Sequence, residues 1–193
     1  MTAIRPMSRA DVPAVIALQR AFLRGSIVTE LGDCFLTRFY SAALGHSATR
    51  AFVAQERDIV GFAMATINVN VFNRFVKPRV FWALGRALLS SRGLTLAPRF
   101  MRSIVERGPE PEIPAELLLL ALAVDERMRR QGVGRRLLAA VEKAFAREGL
   151  AVYRLAVRTH LDDARRFHVA VGFGAEQEMS VLGKAMTYLT KRV

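Results

Sequence analysis

Apolar and polar positions follow two periods along this chain, and the switches between them mark its elements. "AIRPM" (Ala3 to Met7) reads as a short first strand. Ser8 or Asp11 then caps a helix to about Phe22, with Val12, Val15, Ile16, Leu18 and Ala21 as its apolar stripe. A second helix is predicted over Phe35 to Leu44, with Gly32 or Asp33 before it and Gly45 ending it. "RAFVAQERDIVGFAMATINV" reads as two strands, Ala51 to Gln55 and Ile59 to Asn68, joined by the polar turn "ERD" as a hairpin. Gly61 is expected to mark a bulge.

From about Val71 to Pro114 the pattern changes. Helical spacing appears around Val80, Trp82, Leu84, Leu88 and Leu89. Arg74, Lys77, Arg79, Arg86, Arg92, Arg99, Arg102 and Arg107 stand against Glu106 alone, and "GPEPEIP" closes the segment as a stiff loop. A buried strand (Glu116 to Val124), a polar loop and a helix (Val133 to Glu148, stopped by Gly149) follow. Next come a strand (Val152 to Val157) and a short helix (Asp163 to Val171, ended by Gly172). Two last strands are expected near Ala175 to Ser180 and Ala185 to Arg192. The order is that of a mixed α/β chain with about seven strands.

Composition narrows the setting. With 193 residues the chain is expected to form one domain, residues 1–193, that buries its own core. Cys34 is the only cysteine, which excludes an internal disulfide and a multi-cysteine metal site and suits a reducing cytoplasm. No leader is read in "MTAIRPMSRADV", and the longest apolar run, Leu117 to Val124, falls short of the roughly 20 residues that span a bilayer. A soluble, cytoplasmic protein is expected. The net charge of +12 favours anionic partners: phosphates, nucleic acid or an anionic membrane surface.

The placing of the arginines says more than their number. "DERMRRQGVGRRLL" (Asp125 to Leu138) precedes a helical pattern that runs through Leu137, Val141, Ala144 and Phe145. A helix start exposes unpaired N–H groups and partial positive charge, glycines there let a diphosphate approach, and Arg129, Arg130 and Arg135 add charge-assisted contacts. The dinucleotide pattern G-x-G-x-x-G fails at Leu137, and no Gly-Lys-Ser/Thr triplet of a P-loop is present.

Arg129-Arg130-Gln131-Gly132-Val133-Gly134 resembles the [QR]-x-x-G-x-[GA] acyl-CoA loop of the GCN5-related N-acetyltransferases. Its context, a strand ending "LAVD" before it and an amphipathic helix after it, is more specific than the six residues alone. "DDARRFHVAVGF" is similar to the family's second signature, A-x-x-[FL]-Y-x-x-x-G-F, and "VAQERDIVGFAMA" to the hairpin of its second and third strands. The resemblance covers nearly the whole chain except about Val71 to Pro114. It implies a mostly antiparallel central sheet flanked by helices, here with a helical insertion between the third and fourth strands.

The resemblance also implies roles. Pantetheine would hydrogen-bond to the backbone of Leu122, Ala123 and Val124, and the diphosphate would lie over Arg129, Arg130, Gln131, Gly132, Val133, Gly134 and Arg135. Acetyl-CoA would be the acyl donor, with no metal. Glu116, eight residues before Val124, matches the general base of ribosomal-protein-type members; period-two alternation puts it on one face with Leu118, Leu120, Leu122 and Val124. His168 stands where the family usually has a tyrosine acid, on one helical face with Ala164 and Val171, and a free imidazole near pKa 6.5 exchanges protons readily. The alternative for His168 is a packed histidine without chemistry, and for Glu116 a solvated strand start. The family's usual asparagine is here Leu161, with Asp162 or Asp163 left to cap the helix. His46 and His160 read as surface or loop residues. Phe22, Phe35, Phe39 and Tyr40 lie where acceptor sites form, although core packing explains them better.

The expected function is transfer of acetyl to a primary amine by direct attack in a ternary complex, with a small-molecule or peptide acceptor that the sequence does not identify. Sugar amines, polyamines and protein N-termini all remain open. A CoA-binding module without turnover is the rival of another class. The insertion of about forty residues, 71 to 114, reads as a lid over the acceptor, a homodimer contact, or a basic amphipathic patch for an anionic surface. No nucleic-acid motif accompanies it, so nucleic acid is not the expected partner.

Overall fold

Seven strands form one sheet in the order β1-β2-β3-β4-β5-β7-β6, with the wholly apolar stretch Leu117 to Val124 as its middle strand. The computed structural model describes residues 2–24, 26–88, 117–146, 148–150, 152–159, 161–181 and 184–192. The strands are β1 (Ala3–Pro6), β2 (Thr49–Gln55), β3 (Ile59–Ile67), β4 (Leu117–Val124), β5 (Val152–Arg158), β6 (Gly174–Val181) and β7 (Lys184–Arg192). All neighbours are antiparallel except β4 and β5. In β3 the extra residue is Val60, one before the expected Gly61, because Ala54 pairs with Gly61 and Gln55 with Ile59. Gly61 answers a packing need instead: a Cβ there would meet the Ala123 carbonyl at 3.1 Å and Leu137 at 3.3 Å.

The helices are α1 (Val12–Phe22), α2 (Ile27–Glu30), α3 (Asp33–Leu44), α4 (Val69–Leu88), α5 (Val133–Phe145) and α6 (Asp162–Ala170). Before α1, Asp11 accepts from the Ser8 N–H and hydroxyl and from both ends of the Arg5 guanidinium at 2.7 and 2.8 Å. Pro13 sits in the first turn of α1, where its missing N–H has no intrahelical acceptor to lose. α2 lacked a recognisable pattern because four residues hold only one turn. At α6 the expected aspartate cap is not formed. Leu161 occupies the cap position without a side-chain hydrogen bond, and Asp162 and Asp163 fall in the first turn, where their charge still suits the helix dipole.

Two apolar layers cover the sheet. On one face α1, α3 and α4 pack Val15, Leu36, Tyr40, Phe72 and Val80 over Val53, Phe62 and Met64. On the other, α5 and α6 pack Leu137, Leu138, Val141, Ala164 and Phe167 over Ala63, Leu119, Tyr153 and Leu155. Removing a fully buried side chain such as Leu137 costs about 2–5 kcal/mol. His46, read as a surface or loop residue, lies in the loop between α3 and β2 but is buried: its ring packs on Phe72 and Phe75, and its Nδ1 lies 3.1 Å from the Thr49 hydroxyl, which donates in turn to Thr66. The apolar side of the insertion helix closes over it. His160 lies outside the described residues.

The insertion begins as α4, longer than its apolar spacing predicted. It buries Phe72, Val76, Val80 and Ala83 on one stripe against α3. The part of the insertion from 89 to 114 lies outside the described residues.

Candidate functional site

Among the described residues the parallel neighbours β4 and β5 are paired only at Leu117–Tyr153 and Leu118–Arg154, after which they diverge. The backbone edge of β4 from Leu119 onward therefore has no strand partner on that side, although its other edge pairs with β3 up to Val124. A strand edge in the middle of a sheet offers N–H and C=O groups to an extended ligand arm.

β4 also carries a bulge. Met64 pairs with Ala121 and Ala65 with Leu119, so Leu120 is the extra residue. It reverses the faces along the strand. Leu117 and Leu119 face α5 and α6, Leu120 and Ala121 both turn to the α1–α3 side, and Leu122 and Val124 return to the α5 side. The simple alternation that put Glu116, Leu118, Leu120, Leu122 and Val124 on one face is thus broken at Leu120. Glu116 itself lies outside the described residues.

After β4 the chain makes a turn of 3-10 helix (Glu126–Met128). Asp125 holds this turn: its carboxylate accepts from the Arg127 N–H and guanidinium, and these contacts keep its pKa down at about 2. Arg130 and Gly132 then take left-handed backbone angles, φ 59° and 76°, which turn the chain sharply into α5. The first hydrogen bond of the helix runs from the Arg136 N–H to the Gly132 carbonyl, 3.0 Å, so the N–H groups of Val133, Gly134 and Arg135 project from its end.

The predicted loop residues divide into distinct jobs. Arg130 and Arg135 are exposed beside the helix start. Arg129 is committed to the loop: its Nε donates to the Val124 carbonyl at 3.4 Å, it approaches Glu126 at 3.6 Å, and it lies 5.2 Å over the Phe22 ring. Gln131 donates to the Arg127 carbonyl at 2.8 Å. Val133 is buried in the core and offers only its backbone. The two glycines differ as well. Gly132 supplies a positive φ with open space around it, whereas a Cβ on Gly134 would lie 3.0 Å from the Phe167 ring. The second glycine is needed where α6 packs across the start of α5, which a reading of the loop alone does not show.

His168 is 6% exposed, with its ring edge-on to Phe167 and Phe173 at 5.1 and 5.6 Å. Burial holds its pKa down at about 4, and its Nδ1 is buried with no hydrogen-bond partner among the described residues. At neutral pH it is a neutral imidazole with a single N–H to donate, so the ready proton exchange expected near pKa 6.5 does not apply.

The sequence predicts β5 as a strand, Val152 to Val157, but the arginines on it were not singled out. Tyr153, Leu155 and Val157 face the α5–α6 layer, so Arg154, Ala156 and Arg158 face the opposite way, starting at the vertex where β4 and β5 part. The available signal was "VYRLAVR", two arginines at alternate-face positions in an otherwise apolar strand. A groove of about 500 Å³ lies elsewhere, between Ala10 with the Ala14, Ala17 and Ala21 edge of α1 on one side and Arg57, Asp58 and Asp125 on the other. The strand divergence, not this groove, brings together an open backbone edge and the helix start. Among the described residues, no three His, Cys, Asp or Glu side chains cluster to hold a metal.

Comparison with known proteins agrees with this geometry. The sequence model of the Acetyltransferase (GNAT) family matches residues 15–173. The structure of Arabidopsis thaliana NAA60 in complex with acetyl-CoA superposes with a TM-score of 0.65 at 14% identity, covering 100% of this chain and 99% of that one. The ribosomal-protein-S18-alanine N-acetyltransferase of Escherichia coli gives 0.63 at 16% identity, covering 100% and 94%. A further acetyltransferase structure gives 0.63 at 20% identity, covering 99% of each chain. No curated protein sequence matches the chain significantly.

Proposed function

The chain belongs to the GNAT acetyltransferase family, and from that premise we propose that it moves an acetyl group from acetyl-CoA to a primary amine by direct attack in a ternary complex. Acetyl-CoA is the acyl donor. The observation that carries the proposal is the junction of the unpaired β4 edge with the α5 start. The N–H groups of Val133, Gly134 and Arg135 and the guanidinium groups of Arg130 and Arg135 suit a diphosphate. Arg129, Gln131 and Asp125 hold the loop in shape. The backbone of Leu122, Ala123 and Val124 suits a pantetheine arm and polarises the thioester carbonyl as charge develops on its oxygen.

An alkylammonium must lose a proton before it attacks. Glu116 takes that proton in our reading, directly or through a water. His168 steadies the departing thiolate through its neutral N–H. The Escherichia coli relative, named for an alanine of ribosomal protein S18, supports an amine acceptor of peptide type. Titration of acetyl-CoA tests the donor site: replacing Arg130 and Arg135 together by alanine is expected to weaken binding about tenfold or more. Unchanged affinity would remove the diphosphate from this loop. For the base, Glu116→Gln should lower kcat and remove the rising limb of its pH profile; an unaltered profile would reject Glu116.

A second reading concerns α4. Phe81 and Trp82 are 65% and 81% exposed, Val71 is also exposed, and Arg74, Lys77, Arg79 and Arg86 surround them with no acidic residue on the helix. Such a patch suits peripheral contact with an anionic surface, on the cytoplasmic side of a membrane in our reading, or with a second copy of the chain. Among the described residues no helix is long and apolar enough to cross a membrane.

A further inference from the structure

The face of β5 turned away from α5 and α6 carries buried charge that no contact among the described residues explains. Arg154 is only 4% exposed, yet its Nε and Nη2 are buried without a hydrogen-bond partner among the described residues, and the Nε of Arg158 is in the same state. A guanidinium stays charged at any pH the protein meets, so burial cannot neutralise it as it would a lysine. An unmatched buried cation is costly to hold, and natural chains retain one where something is to be matched.

Its position narrows what that is. Arg154 pairs with Leu118 at the last rung before β4 and β5 diverge. Its guanidinium leans forward along the sheet, 5.9 Å from the ring of Tyr188, which is paired with Ala156 on β7. Arg158 lies four residues further, roughly 13 Å along the strand toward the open end of the gap, with the small Ala156 between. The diphosphate loop follows the far end of β4, at the open end of the gap, so the reactive end of a donor arm lying along β4 points toward the vertex and Arg154. The two arginines also sit on the sheet face opposite the α5–α6 layer.

We propose that Arg154 and Arg158 bind an oxyanion carried by the acceptor, so that the substrate is an amine bearing a carboxylate or phosphate near the reacting nitrogen. This rests on the acyl-transfer reading above and adds to it the charge class of the acceptor. Buried guanidinium groups are matched by planar or tetrahedral oxyanions through paired N–H donors. The same two charges repel polyamines and cationic sugar amines, which removes those classes from the candidates left open by the sequence. Arg154 and Arg158 act here as binding residues for the acceptor and leave the donor loop untouched.

The test uses matched acceptor pairs with the full chain and acetyl-CoA. Free amino acids are compared with their amides, C-terminally amidated peptides beginning with Asp or Glu with their Asn or Gln counterparts, and phosphoethanolamine with ethanolamine. The anionic member of at least one pair should have kcat/KM at least about tenfold higher, and which pair responds identifies the oxyanion's source. Arg154→Met should abolish that preference and Arg158→Met reduce it, with acetyl-CoA affinity unchanged. Equal or reversed rates within every pair, or a preference that survives in Arg154→Met, would overturn the proposal. A second measurement needs no acceptor. Removing an unmatched buried charge should raise the Tm of the Arg154→Met protein by about 2–4 °C. A lowered Tm, or failure to fold, would mean that Arg154 is matched within the chain and would overturn the proposal independently. If acetyl-CoA binds and no acceptor of either charge reacts, the acyl-transfer reading fails, while the Tm shift still decides the state of Arg154.

Discussion

A Cβ on Gly134 would lie 3.0 Å from Phe167, so one missing atom sets how closely α6 crosses the start of α5. Gly134→Ala should therefore cost about 1–3 kcal/mol of stability. Phe167→Leu, which withdraws the ring, should recover part of that loss in the double variant; equal losses with either residue at 167 would place the strain elsewhere. At His168 the expectation concerns pH. Its pKa is near 6.5 unfolded and about 4 folded, so the native state binds fewer protons between these values. Stability is then fully present above about pH 6.5 and declines as the pH falls toward 4, by on the order of 3 kcal/mol at most. In His168→Phe that decline should shrink when denaturant midpoints are compared across the range. His168→Tyr restores the residue usual in the family and should keep or raise kcat if the position serves as a donor; loss of activity would assign it to packing alone. Gly132 and the arginines were legible in the sequence because the loop is contiguous. The reason for Gly134 was not, since its neighbour lies 33 residues later in the chain and only the fold brings the two together.

Elements were legible wherever one face is apolar over several turns or rungs. α1, α3, α5 and the hairpin of β2 and β3 all follow their stripes to within a few residues. β4 shows where that reasoning stops. Eight apolar residues carry no alternation to read, and the Leu120 bulge is a property of its pairing with β3 rather than of its own composition. α4 shows another limit, since periodicity marks a helix but not which of its apolar residues stay uncovered. Trp82 is the only tryptophan of the chain and is exposed on α4, so its fluorescence reports on that patch alone. If α4 meets an anionic surface, emission should shift to the blue with vesicles containing phosphatidylglycerol, and not with phosphatidylcholine alone. Arg74→Ala with Lys77→Ala should weaken that binding by about tenfold or more. A shift that follows protein concentration without lipid would assign the patch to self-association instead.

The whole molecule joins two half-sheets, β1 to β4 and β5 to β7, whose strands pair, among the described residues, at the rungs Leu117–Tyr153 and Leu118–Arg154. The site is the place where they part. The overall charge of +12 favours anionic ligands, with Arg130 and Arg135 beside the loop at the open end of the gap, Arg154 at its vertex and Arg158 on the strand that leads from the vertex toward the open end. The loop proposed to hold the donor's diphosphate is local, so its glycines and arginines could be picked out from one stretch of sequence. The arginines proposed for the acceptor could not, because their placing depends on strands whose register is set by pairing. The central claim is that this gap transfers an acetyl group, and release of CoA thiol from acetyl-CoA across a broad panel of amines tests it most directly. The account predicts thiol release that depends on an amine and stops when Arg130 and Arg135 are both replaced by alanine. Tight binding of acetyl-CoA with no amine-dependent release across that panel would contradict it, and would make the protein a CoA-binding module rather than an enzyme.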